Sequence, residues 1–422
     1  MADRNPLFDR AAGAAKKFYG LVTQTEVVAA VCIVALGAAF VLETRGHRNL
    51  FYLTAVPLFL LSLPRLGYRD LWGSALARLA LAYLGYFFIA ALWSDGLTLP
   101  ALGNLLRVTL LALLFFVTAS LLALRDRGFE RRLYVWLSLV AGASLLAVFT
   151  ALLAGTIVHE VRLGGFGIAS HPVIGATLYG FVLLTSAFVL LPRSASWPAR
   201  LLWLGVIGLC TAFMLLSGSR GPLIALAAAL VLGLAIADRR IAIAVACLFA
   251  AGLVIGLLAD FRPFEMLFTR GESGHFAIWR EALDSIAARP WFGFGSLADF
   301  AFTGKNGPSR SPHNLLLANQ LYGGLPATLL LAALIGTALW RAGQAARDGA
   351  TIYLVLLAFG LTASLFDSRS LVQNIGREWI TLWLPLALLA ARELAPQGSA
   401  GPNPAGRNPA GRNPAGRPAS PS

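Results

Sequence analysis

About twelve runs of apolar residues, joined mostly by short turns, constrain this chain more than any other feature. They fall near 22–42, 49–63, 71–93, 101–124, 133–154, 172–191, 201–217, 223–237, 241–258, 314–339, 350–366 and 379–391. About 20 apolar residues cross a bilayer as a helix. In lipid the backbone must satisfy its own hydrogen bonds within such a segment. Composition agrees: 58% of the residues are hydrophobic, 13% are charged, and the mean hydropathy is +0.72, whereas a soluble domain carries about 25% charged residues. The expected fold is therefore an all-α polytopic membrane protein with about 12 transmembrane helices.

Orientation follows from the loops. The start, "MADRNPLFDRAAGAAKKFYG", is polar and basic with no A-x-A site before the first apolar run, and reads as a cytoplasmic tail and not a cleaved signal. With that end inside, the inner loops "PRLGYRD", "RDRGFERR", "PRSASWPAR", "ADRR" and "WRAGQAARD" hold twelve arginines, against six in the short outer loops. This positive-inside asymmetry puts both termini in the cytoplasm. It also accounts for much of the net charge of +14 without a nucleic-acid partner. Cys32, Cys210 and Cys247 lie in apolar runs, which leaves no disulfide framework or cysteine metal site legible. From about Gly398 the unit "NPAGR" recurs three times. Proline and glycine at that density do not build a core, so 398–422 is expected to be a disordered cytoplasmic tail behind a single transmembrane domain, 1–397.

One large polar insertion, about 259–313, lies on the outer side. Within "HFAIWREALDSIAAR", Phe276, Trp279, Leu283 and Ile286 recur at helical spacing, opposite Arg280, Glu281, Asp284 and Arg289. The spacing predicts an amphipathic helix stopped by Pro290, resting either in the membrane interface or on the protein's own outer surface. "PWFGFGSLADF" then turns on Gly293 and Gly295; it follows a helix and lacks the third glycine of a dinucleotide loop.

His47, His159, His171, His275 and His313 all fall outside in this topology, none at metal-ligand spacing, so no zinc site is expected. Arg220 occupies a short outer turn, "LLSGSRGPLIAL". An arginine held at a membrane face needs a partner or must snorkel. The alternative is an anion site: the guanidinium fork suits phosphate oxygens, Gly218 and Gly221 permit close approach, and the helix start adds N–H groups. Ser219 shares that turn. Arg162, in "HEVRLGGFGIASHP", has a similar glycine-rich setting, and Arg270 and Arg280 flank the amphipathic helix. In "SRSPHNLLLANQ", Ser311 fits an N-cap, Pro312 the first helical position and His313 the second, followed by Asn314. The dipole there disfavours an imidazolium, which suits a general base; a polar residue with no chemistry at a helix start is the bland alternative. One histidine, several outer arginines and a lipid interface together suit a reaction on a diphosphate-linked lipid, with arginine holding the leaving phosphates and histidine taking a hydroxyl proton.

These residues carry a resemblance. "LLSGSRGPLIAL" resembles the Ser-Arg-Gly motif of the O-antigen ligase and polymerase superfamily, "FAIWREALDSIAARPWFGFGSLADF" its Trp…Pro…Gly-x-Gly segment, and "SPHNLLLANQLYGGLPATLLL" its His-Asn…Tyr-Gly motif, in the family's order over about 160–330. The resemblance implies a GT-C-like, metal-independent, inverting membrane glycosyltransferase of the bacterial inner membrane that needs no cofactor. It would move a glycan from undecaprenyl diphosphate to a sugar hydroxyl of lipid A–core on the periplasmic face. His313 matches the family's base and Arg220 its diphosphate-binding arginine. For the second loop arginine the candidates are Arg270 and then Arg280, because His275 stands where relatives often carry arginine. Arg162 is a further donor-side candidate, and Asn314, Ser219 and His275 are secondary ones. Ala327 stands where ligases expect Gly, Thr or Tyr, a departure toward the polymerases. O-antigen polymerase and protein O-oligosaccharyltransferase share the donor and remain alternatives. A transporter or flippase for an anionic lipid is the alternative of another class; it would predict internal repeats and broken midplane helices.

Overall fold

The computed structural model describes residues 16–156, 162–236, 239–258, 274–304 and 307–395. Arg270, His159 and the repeat tail lie outside them. The chain is an all-α polytopic membrane protein. Its helices are α1 (Thr25–Gly37), α2 (Thr44–Leu66), α3 (Ala75–Trp93), α4 (Leu99–Arg125), α5 (Phe129–Leu153), α6 (Pro172–Leu190), α7 (Trp197–Leu216), α8 (Arg220–Ile236), α9 (Arg239–Leu258), α10 (His275–Ala288), α11 (Leu315–Arg347), α12 (Ile352–Phe366) and α13 (Leu384–Leu394). Each apolar run falls on one of these helices. Among the described residues seven helices are long and apolar enough to cross a membrane, or eight when the bent pair Lys16–Val22 and Thr25–Phe40 counts as one span. Side chains such as Leu53, Val231 and Leu329 point outward and are exposed, as suits a surface facing lipid.

Local chemistry sets the helix starts. Ser74 caps α3 by accepting from the Ala77 N–H, and Thr98 caps α4 by accepting from Ala101. The run at 71–93 therefore becomes α-helical only at Ala75, after a 3-10 turn over Tyr68–Gly73. The start of α3 is also bound from the far end of the chain: Glu393 accepts from the Ala75 N–H (3.0 Å) and the Ser74 hydroxyl (2.8 Å) and pairs with Arg341 (2.8 Å). The last run, 379–391, is buried at every position, as expected of a segment apolar on all sides. Trp379 opens a π-helical turn, Trp379–Trp383, that leads into α13; it stacks on Phe115 at 4.9 Å and meets Phe51 edge-on, and α13 itself packs against α4.

α11 breaks at Gly324, whose φ of 65° and ψ of −160° are not helical. The segment after α10 fills the break. The Leu325 N–H donates to Trp291 O (2.9 Å), while the N–H groups of Phe294 and Gly295 donate to the carbonyls of Leu321 (2.9 Å) and Tyr322 (2.8 Å). A Cβ at Gly324 would fall 2.4 Å from Trp291 O. The Gly-x-Gly segment is thus a backbone clamp on a broken span, and Gly293 and Gly295 do turn with positive φ.

The clamp fixes α10. Its buried flank, Ile278 and Ala282, packs on Phe302 and Leu321, so the helix rests on the protein. Phe276 and Leu283 on the neighbouring stripe remain exposed. A two-stranded hairpin, β1 (Phe302–Gly304) with β2 (Gly307–Ser309), closes this layer over the end of the bundle.

Candidate active site

A cavity of about 540 Å³ opens at that end, between the α7–α8 turn, the loop before α6, α10, the hairpin and the end of α12. Its charged and titratable lining is Arg162, Arg220, His171, His275, His313 and Asp367. Four of these were expected from sequence. Of the other candidates, Ser219 lines the cavity too, Arg280 is exposed and does not line it, and Arg270 lies outside the described residues.

The histidine segment departs from the expected helix start. Asn314, not Ser311, is the N-cap of α11: its side-chain oxygen accepts from the N–H groups of Leu316 (3.0 Å) and Leu317 (3.1 Å). Asn314 therefore has a structural role and does not line the cavity. Ser311 instead accepts from the His313 N–H (3.2 Å). His313 precedes the helix, so the dipole argument for its neutrality does not apply. It is the one non-glycine residue with positive φ, 52°, among the described residues. A left-handed conformation costs a residue with a Cβ about 1–2 kcal/mol and persists only where surroundings enforce it. They do so from several sides. Trp279 donates through its indole N–H to Pro312 O (2.9 Å), and the ring nitrogens of His313 are held by Asp367 and Ser309.

Asp367 is the residue that sequence reasoning missed. Its Oδ1 is 3.0 Å from His313 Nδ1, and its Oδ2 is 2.8 Å from Nη1 of buried Arg377, which pairs in turn with buried Glu378 at 2.6 Å. Burial by itself raises the carboxyl's pKa. The hydrogen bond from His313 and the Arg377 guanidinium outweigh it and hold the group well below the usual carboxylate range. An ionised carboxylate only accepts, so Nδ1 carries a proton and Nε2 faces the cavity. The legible signal was an acid at the end of an apolar run, "LTASLFDS", where a charge needs a partner.

The arginines arrive from two short segments. Arg162 donates to Ser217 O (2.8 Å) and Ser219 Oγ (2.7 Å), bracing the turn that presents exposed Arg220. Gly221 gives close approach to Phe366 rather than to open space: a Cβ there would fall 2.8 Å from Phe366 Cβ. That contact seats the Arg220 turn on the end of α12 that bears Asp367. His275, the first residue of α10, places its ring 5.6 Å from that of His313. His171 lies at the start of α6; burial lowers its pKa, Asp367 opposes this, and Arg162 and Arg377 reinforce it.

The cavity thus gathers a histidine oriented by a carboxylate, two arginines and a floor between membrane helices, a set suited to proton transfer from a hydroxyl beside an anionic group. Residues 204–332, which include all three motifs, match the sequence profile of a family described as O-antigen ligase. The chain is similar to the O-antigen ligase of Pseudomonas aeruginosa, with 31% identity over 350 residues, covering 82% of this chain and 84% of that protein. Ala327, buried and facing Gly323 within the broken span, does not take it out of that group: the chain belongs to the O-antigen ligase family, membrane enzymes of the glycosyltransferase type.

Proposed function

We propose that the protein transfers a glycan from undecaprenyl diphosphate to a sugar hydroxyl of lipid A–core, at the periplasmic face of a bacterial inner membrane. The observation that carries this reading is the His313–Asp367 pair, in one cavity with Arg162 and Arg220. His313 Nε2 takes the acceptor's hydroxyl proton as that oxygen attacks the anomeric carbon, and the bond to diphosphate breaks with inversion. Asp367 fixes the ring and stabilises the imidazolium formed. Arg220, with Arg162 behind it, neutralises the departing diphosphate. A diphosphate is already a good leaving group, so charge neutralisation serves better than an acid. Arg270 is kept as a third donor-side candidate.

The test is ligation by purified protein, with undecaprenyl-diphosphate-linked glycan as donor and lipid A–core as acceptor. His313→Ala is expected to insert normally and to transfer nothing; ligation retained in that variant overturns the reading. Deleting the gene in a strain making smooth lipopolysaccharide separates the alternatives. Loss of every ladder band with lipid-linked polymer accumulating identifies a ligase, and a core carrying one repeat unit identifies a polymerase.

A further inference from the structure

Both ring nitrogens of His313 are engaged. Nδ1 faces the Asp367 carboxylate and carries a proton, so Nε2 is the nitrogen left to act as a base. Ser309 Oγ lies 3.0 Å from Nε2, which is where an attacking hydroxyl must arrive. Ser309 has other partners: its hydroxyl can donate to Ser311 O (2.8 Å) and accepts from the Ser311 N–H (3.3 Å). A hydroxyl has a single proton, which Ser309 gives either to Nε2 or to Ser311 O. Swinging it to Ser311 O releases Nε2 without costing the serine its place in the turn.

The strand that carries Ser309 is weakly held. β2 pairs with β1 over three residue pairs, and Pro308, opposite Thr303, has no N–H to donate. Gly307 and Pro308 are exposed. β1 is anchored instead: Phe302 is buried, and the Thr303 N–H donates to Glu281 Oε2 (2.8 Å). One strand of the hairpin is therefore fixed to α10, while the other, with Ser309 at its end, lies along the cavity.

We propose that Ser309 is the resident occupant of the acceptor subsite. In the resting enzyme its hydroxyl holds His313 Nε2. An arriving sugar hydroxyl displaces it, and β2 moves off the anchored strand before proton transfer. Ser309 is a gating residue that takes no part in the chemistry. The inference rests on the reading of His313 as the base.

Kinetics and hydrogen exchange on the full-length enzyme test it, with undecaprenyl-diphosphate-linked glycan and lipid A–core as probes. Ser309→Ala is expected to lower the KM for acceptor about five-fold, with kcat within about two-fold of wild type, and to release more glycan to water when acceptor is absent. Ser309→Thr, which keeps the hydroxyl, retains the wild-type KM. Amide exchange in the peptide 302–313 is expected to speed up on saturation with lipid A–core. A collapse of kcat in Ser309→Ala at unchanged KM makes the serine a proton relay, and a glycan found covalently on Ser309 makes it a nucleophile; each overturns the proposal, as do unchanged constants or slower exchange. His313→Ala in the same assay keeps the two readings apart, because activity there removes the base itself however the Ser309 variants behave.

Discussion

At the scale of single residues the site is an argument about His313 and what holds it. Asp367→Asn keeps the shape but gives up the ionised acceptor that fixes which nitrogen faces the cavity; transfer is expected to fall on the order of a thousand-fold. Stability should respond to pH with a defined sign. The carboxyl is held below its unfolded value of about 3.9, so its contribution is complete above that value and is lost as pH falls through the lower folded one. The melting-temperature gap between wild type and Asp367→Asn, measured in detergent, is thus expected to narrow as pH falls below about 4. A gap that does not narrow there contradicts the ionised carboxylate. His313 and Arg220 were legible because each is a polar group in a short motif at the brink of an apolar run. Asp367 showed only as an acid at the end of an apolar run; its role was not legible, because its partners lie 54 residues upstream and 10 downstream and no local pattern links them.

At the scale of elements, periodicity and length located the spans, since an apolar run that must satisfy its own backbone has only the helix available. What they did not locate were the ends and breaks. Ser311 and Asn314 are both acceptable caps by type; the Ser311 hydroxyl is committed locally to the His313 N–H, in a segment that Trp279 and Asp367 hold out of the helix from elsewhere in the fold. The break in α11 was likewise not located, although Gly323, Gly324 and Pro326 punctuate the apolar run there. It makes a sharp prediction: Gly324→Ala places a Cβ 2.4 Å from Trp291 O at a φ of 65°, so a loss of at least about 2 kcal/mol is expected. The loss would be read as a lower melting temperature and weaker recovery of folded protein. Because the clamp also seats α10 and the hairpin, acceptor-dependent activity should fall in whatever folded fraction remains. Wild-type stability in this variant would mean that the clamp does not hold the broken span.

At the scale of the molecule, the arginine asymmetry of the loops predicts which end faces which compartment. In a background with exposed Cys247 replaced by serine, Asp95→Cys is expected to react with an impermeant maleimide in cells with a permeabilised outer membrane. Ser196→Cys, in an arginine-rich loop, should react only after the inner membrane is opened. The reverse pattern would invert the orientation and place the cavity in the cytoplasm. The architecture also has a bearing on biosynthesis. Glu393, 319 residues beyond Ser74, completes the start of a helix made early in translation, and Tyr52 likewise meets Asn374 across 322 residues. These partners are made only hundreds of residues later, so the early spans enter the bilayer before the groups that complete them exist. A chain stopped before α13 would leave the Ser74 hydroxyl and the Ala75 N–H without Glu393.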